Sequence, residues 1–289
     1  MIVAVASGKG GTGKTTVATS LAASSASAVQ LLDCDVEEPN VHIFLRPEIR
    51  GSECVTIPVP DVEMEKCNLC RECAEICAYH AIAVLGDQVL TFQELCHGCG
   101  GCSLVCPTDA IREIPREIGT VEWGTAGGID FVHGRLRIGE AMSPPLIRAV
   151  KKRIERSRLV IIDAPPGTSC PVIESIRGAD FVLLVTEPTP FGLNDLVLAV
   201  QTVRELQIPF SVVVNRAGLG DEEVYHYCRD QGIPIDLEIP FDRRIAEAYS
   251  RGELLVEMMA EWRVAFQTLL RSIEERAIRG RALHHEVSR

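Results

Sequence analysis

The stretch GKGGTGKT, Gly8 to Thr15, follows directly on the apolar run IVAVAS and leads into TTVATSLAASSA. Few folds accommodate it. The pattern G-x-x-x-x-G-K-[ST] turns backbone N–H groups inward around a phosphate, next to the positive end of a helix. That works where a buried strand delivers the chain to the loop and a helix carries it away. In this reading Lys14 reaches the β- and γ-phosphates and the Thr15 hydroxyl ligates magnesium. Gly8, Gly10, Gly11, Thr12, Gly13 and Thr16 complete the nucleotide-binding loop. The plain alternative is a glycine-rich turn joining strand to helix, which would not need the lysine and hydroxyl at the fixed positions.

The flanking sequence supplies that context. VQLLDCD, Val29 to Asp35, reads as a second buried strand ending in carboxylates. LVIID, FVLLVTEP and FSVVVNRAG are continuous apolar runs, as parallel strands covered on both faces require. In SPPLIRAVKKRIERS, Ser143 serves as N-cap, Pro144 takes the first helical position, and Ile147, Val150 and Ile154 share a face. LNDLVLAVQTVRELQ is helix-like, and Phe266, Leu269, Leu270 and Ile273 form a helical packing stripe. The predicted architecture is α/β: a doubly wound, mostly parallel sheet with helices on both sides. A small α+β domain interrupts it. Residues 1–59 and 118–289 are the two parts of the sheet domain and 60–117 the insertion, with VTIPVPDVEMEK as a linker.

The interruption is defined by cysteine. Of twelve cysteines, eight fall between Cys67 and Cys106, in two runs of identical spacing: Cys67, Cys70, Cys73, Cys77 and Cys96, Cys99, Cys102, Cys106. The first three of each run can wrap one corner of an iron–sulfur cube, while a helical turn carries the fourth to the other cluster. One [4Fe–4S] cluster is therefore expected on Cys67, Cys70, Cys73 and Cys106, and a second on Cys96, Cys99, Cys102 and Cys77. Zinc sites use paired C-x2-C elements separated by a longer loop, which fits this register poorly. Cys34, Cys54 and Cys228 read as structural. Cys170 reads as a buried, inert thiol, with a place near a dimer axis as the alternative.

Composition narrows the partners. The formal charge of −11 argues against nucleic acid or anionic membrane as the main partner. No apolar run approaches the ~20 residues of a membrane span, and MIVAVASGKG lacks a charged leader region, so a cytoplasmic protein is expected. The tail RSIEERAIRGRALHHEVSR, with Glu274, Glu275 and Glu286, reads as a solvated helix end and not a membrane anchor.

Lys9 makes the loop more specific. KGGTGKT, with its second lysine, resembles the deviant Walker A motif of the MinD/ParA/Mrp ATPases and the nitrogenase iron protein. The cysteine block resembles bacterial two-cluster ferredoxins, departing from them at Ala78, where the pattern has proline; Pro107 keeps it in the second copy. The whole chain thus resembles MinD-superfamily ATPases that contain an inserted ferredoxin domain. The resemblance implies that Lys9 reaches across to a partner's nucleotide in an ATP-sandwiched homodimer. It implies that Asp33 and Asp35 end the first switch, Asp35 orienting the attacking water and Asp33 near magnesium, although Asp33 also suits a turn cap. It places Asp163 near magnesium, Gly167 in the second switch, and Asn215, Pro240 and Asp242 against adenine. Three functions are compatible with these parts. They are ATP-gated electron transfer to an unidentified partner protein, carriage or assembly of iron–sulfur clusters, and a positioning ATPase braced by its clusters.

Overall fold

The computed structural model describes the backbone of residues 1–287 and the side chains of residues 1–279. Nine strands form the main sheet: β1 (Ile2–Ala6), β2 (Val29–Asp33), β3 (Glu48–Val62), β6 (Ile111–Ala126), β7 (Ile129–Leu136), β8 (Leu159–Asp163), β9 (Phe181–Thr186), β10 (Phe210–Ala217) and β11 (Ile235–Pro240). A separate hairpin pairs β4 (Ile82–Leu85) with β5 (Gln88–Thr91). The main sheet runs β11-β10-β9-β1-β8-β2-β7-β6-β3. From β11 to β7 every pairing is parallel, and β6 and β3 close one edge antiparallel. The doubly wound, mostly parallel sheet is therefore present.

Helices flank both faces because the central strands are apolar on both sides. One face buries Leu32, Ile162 and Leu184 with Ile147, Val150 and Val200, and the other buries Val5, Leu31 and Ile161 with Val17, Leu21 and Phe266. The expected helices occur at Lys14–Ser24, Pro144–Lys151 and Pro190–Glu205. Ser143 is the N-cap and Pro144 the first residue of the second of these, but the helix stops before Ile154, which packs at the core's margin. The stripe Phe266, Leu269, Leu270 and Ile273 is fully engaged on the helix Ala260–Val287. Truncating Phe266, whose side chain is wholly buried, to alanine is expected to cost about 3–5 kcal/mol in urea unfolding. A loss below ~1 kcal/mol would show that this helix is not part of the cooperative unit.

The segment expected as a linker is instead the end of β3. Its prolines misled, because proline disfavours a central strand. Here β3 is the edge of the sheet, where Pro58 and Pro60 need no outward ladder partner, and Ile57 and Val59 alternate inward. β3 and β6 make a long antiparallel ribbon whose far end is the pair Val62 and Ile111. The cysteine runs lie between those two residues, so they hang from the tip of the ribbon. Among the described residues no helix is long and apolar enough to cross a membrane. Glu274 and Glu275 are exposed, and Glu286 lies outside the described side chains.

Candidate nucleotide site and cysteine sites

β1 delivers the chain to the glycine loop, and the helix Lys14–Ser24 departs from it. Gly13 caps this helix at φ +90°, a conformation that disfavours any Cβ, and a Cβ there would also collide with Asn215 Nδ2. Gly8 lies so close to the Asp195 backbone that no side chain fits. Lys14 Nζ donates to Asp163 Oδ1 at 3.0 Å and stands 3.7 Å from Asp35 Oδ2, while Thr15 Oγ1 donates to Asp163 Oδ2 at 2.7 Å. Burial works against the Lys14 ammonium, but Asp163 and Asp35 outweigh it and hold its pKa above the usual lysine value. Thr12 Oγ1 is buried and has no partner among the described residues. A phosphate oxygen would supply that partner.

The carboxylates at the end of β2 divide their tasks. Asp33 Oδ1 accepts from the N–H of Asp35, and Asp33 Oδ2 from those of Asn40 and Val41. It thereby braces the loop that carries Asp35. Its pKa is pushed well above the carboxylate range by burial and by Asp163. Asp35 faces the cleft, its pKa pushed up to about 6 by burial, with Lys14 opposing and Asp163 adding. Beyond the loop lies a cleft of about 380 Å³ lined by Lys9, Asp35, Asn215, Pro240, Asp242 and Tyr249, among others.

Asn215 reaches back from β10, its Nδ2 donating to Thr12 O at 2.7 Å, so it also straps the phosphate loop. Asp242 caps the helix Arg243–Ser250, accepting from Arg244 N. Gly167, at φ +99°, donates its N–H to Ser7 O at 2.9 Å. Lys9 is folded back within its own chain, 3.4 Å from Glu187, which also pairs with Arg216 at 2.7 Å. Glu187 and Arg216 carried no motif and were invisible to sequence reasoning. Phe241 and Tyr249 also line the cleft unannounced.

Cys34 and Cys228 are buried, as expected of structural thiols, but Cys54 and Cys170 are exposed. The expectation that Cys170 is buried is corrected: it is the exposed first residue of the helix Cys170–Ile176.

The two cysteine runs fold as a repeat, offset by 29 residues from Cys67 to Cys96. Leu69 and Arg71 adopt positive φ in the first copy, Gly98 and Gly100 in the second, and His80 is matched by Asp109. Such left-handed residues cost energy and turn N–H groups towards a common centre. Ala81 N donates to Cys77 Sγ at 3.3 Å, and Ala110 N to Cys106 Sγ at the same distance. Gly98 N donates to Cys96 Sγ at 3.4 Å. Cys67, Cys70, Cys73 and Cys106 surround one small cavity walled by Val62, Val84, Val89 and Ile111. Cys77 packs between the core that holds Cys96 and the smaller cluster that holds Cys73. Thiolates that accept backbone N–H bonds inside an apolar shell suit an iron–sulfur cluster. Among the described residues no three His, Cys, Asp or Glu side chains are gathered closely enough for a single metal ion.

The model of the CobQ/CobB/MinD/ParA nucleotide-binding domain matches residues 3–256. The chain belongs to this family. In fold, the MinD/ParA domain found here is similar to the cell-division ATPase MinD of Pyrococcus furiosus. Identity is 20%, with 95% of this chain and 98% of that one covered and a TM-score of 0.56. An uncharacterized protein of Methanocaldococcus jannaschii is 33% identical over 88% of this chain and 90% of its own length. A protein of Pyrococcus abyssi named as an iron–sulfur cluster carrier is 26% identical over 81% of this chain and 65% of its own length. The MinD/ParA sheet explains why Lys14, Asp35, Asp163 and Gly167 converge: each lies at or just beyond the carboxyl end of a central parallel strand, where such sheets open their binding crevice.

Proposed function

We propose that this MinD/ParA-family protein is a cytoplasmic, magnesium-dependent ATPase carrying two [4Fe–4S] clusters. In this reading its ATP-driven homodimer cycle gates electron delivery to a partner protein. The observation that carries the reading is the paired conformation of the cysteine runs, with left-handed residues and N–H···S bonds at matched positions, in one chain with the Lys14–Asp163–Thr15 constellation. Residues 60–117 form the inserted module. Cys67, Cys70, Cys73 and Cys106 would hold one cluster, and Cys96, Cys99, Cys102 and Cys77 the other. Each cluster would supply storage of one electron.

On the nucleotide side, Thr15 and Asp163 would hold magnesium, with Asp33 keeping the switch loop in place. Asp35 would position the attacking water in line with the γ-phosphate. Asn215, Pro240 and Asp242 border the space for adenine. Lys9 would leave Glu187 to meet the partner's nucleotide. These assignments give a pH signature. Asp35 must be ionised to hold the water, so kcat/KM for ATP should fall as pH drops through about 6. Asp35→Asn should abolish that limb along with most of the turnover. A wild-type profile flat from pH 5 to 8 contradicts the role.

The test of the whole reading is anaerobic purification with iron and sulfide counts, then ATPase assays on oxidised and reduced protein. Eight irons per chain and a rate that changes on reduction are expected. A rate indifferent to redox state, with both clusters intact, counts against gating. A second reading, cluster carriage, is favoured by the Pyrococcus relatives that bear that name. Against it, the chain has no C-x-x-C outside the cysteine block. ATP-dependent transfer of a cluster to an apo-acceptor would establish it.

A further inference from the structure

The two cysteine sites are not placed alike relative to the nucleotide. Cys96 lies in the main core with Ile57, Val59 and Ile118. A side chain added at Gly98 would press on Pro58 O at 3.1 Å and on Ile57 Cβ at 3.4 Å, so this loop rests on the body of the β3–β6 ribbon. The cavity among Cys67, Cys70, Cys73 and Cys106 is walled instead by the ribbon's last pair, Val62 and Ile111, and by the hairpin. One site is at the root of the module and the other at its tip.

Arg116 stands directly opposite Ile57 in the ribbon. Residues so paired share a face, and Ile57 is what the Cys96 loop touches. The guanidinium is therefore on the side of the root site, where Cys96 packs with Ile57. At the tip, Arg71 lines the cavity but is exposed to solvent, which screens its charge. Arg116 is almost wholly buried, and both terminal nitrogens bond the carboxylate of Glu140, whose side chain is 1% exposed. Its Nε–H is buried with no acceptor among the described residues. An unmet buried donor is costly, so a further acceptor is called for.

Glu140 leads back to the nucleotide. Val36, the residue after Asp35, accepts from Leu136 N at 2.8 Å, and Ile118 accepts from Arg137 N at 2.9 Å. Glu140 N in turn donates to Arg137 O at 3.0 Å. The segment 136–140 is thus fastened to the first switch at one end and to Arg116 at the other.

We propose that Arg116 sets the reduction potential of the root cluster, and that nucleotide adjusts it by moving Glu140 through segment 136–140. The proposal rests on the two-cluster reading above. A buried positive charge stabilises the more negative, reduced state and raises the potential, and Glu140 offsets part of that effect. The root cluster is accordingly the better electron acceptor of the two, and the one that feels the first switch.

The experiment is an EPR-monitored redox titration of the full chain, with dithionite as reductant. It is run nucleotide-free, with Mg-ADP and with a non-hydrolysable ATP analogue. Wild type should show two resolved potentials, of which only the higher responds to nucleotide. Arg116→Gln should lower that potential by at least tenfold in the redox equilibrium, or 59 mV for one electron, leave the lower one in place and remove the nucleotide response. Arg116→Lys should restore most of the shift. Glu140→Gln should move the same potential upward, an opposite sign that general loosening of the module does not produce. Two potentials that shift together, or a nucleotide response that survives Arg116→Gln, overturn the proposal. If Arg116→Gln assembles fewer than eight irons, Glu140→Gln decides: a rise in one potential upholds the proposal and no change overturns it. A wild-type chain that itself lacks eight irons removes the two-cluster reading, and this inference with it.

Discussion

Lys14→Ala is expected to lose ATP affinity by a hundredfold or more and to melt well below the wild type. In the proposed role the ammonium would supply charge-assisted bonds to phosphate, and ~3 kcal/mol of such contacts corresponds to about two decades in Kd. Its removal also leaves Asp163, Asp35 and Asp33 together without their cation. Breaking a buried ion pair by deleting one partner costs roughly 3–5 kcal/mol.

The sign of the pH dependence follows. Asp33 and Asp35 already titrate above the usual carboxylate value in the folded state, and losing the opposing Lys14 charge raises them further, so the folded protein binds the extra protons. The deficit should therefore shrink as pH falls from 7.5 towards 5.5 and be largest once the carboxylates are fully ionised. Thermal melts followed by circular dichroism at the two pH values, with isothermal titration of ATP, give the answer. A pH-independent deficit would mean that lost packing, and not charge, is responsible. Lys14→Met, which keeps the side-chain length, makes the same separation independently.

Cys106→Ala should halve the iron. Although Cys106 follows the second run in sequence, it shares a cavity with Cys67, Cys70 and Cys73, so its loss should remove the tip cluster and leave about four irons on the chain. The surviving EPR signal should be the one of higher potential, the one that Arg116→Gln shifts. Cys77→Ala should do the converse, removing the higher-potential signal. If Cys106→Ala instead eliminated the higher-potential signal, the crossed ligation would be wrong. Loss of all eight irons in both variants would mean that the two sites fold as one unit, and the crossing would then have to be read from a Cys106→Ser variant that keeps a ligating oxygen.

The phosphate loop and the cysteine runs were legible in the sequence because their geometry is local. Eight residues fix the direction of the N–H groups around a phosphate, and intervals of two and three residues fix which thiols can face one centre. The apolar strands were legible for a related reason: a strand buried on both faces is constrained at every residue. β3 was missed because Pro58 and Pro60 exclude a central strand, and nothing in the local sequence states that the strand lies at an edge. The exposure of Cys170 was missed because one thiol near a helix start carries no periodic signal.

Long-range proximity decided the remainder. Asn215 reaches Thr12 across 203 residues, Lys14 meets Asp163 across 149, and Arg116 meets Glu140 through the register of an edge ribbon. The sequence alone determined where the glycine loop and the two cysteine runs fall and how their residues are spaced, since those features lie within single turns of the chain. Only the tertiary structure decided that segment 136–140 ties the buried Arg116 to the loop after β2, and that the Cys96 loop rests on the same face of the β3–β6 ribbon as that charge. Strand order and pairing are set by burial over the whole sheet, and no short segment encodes them.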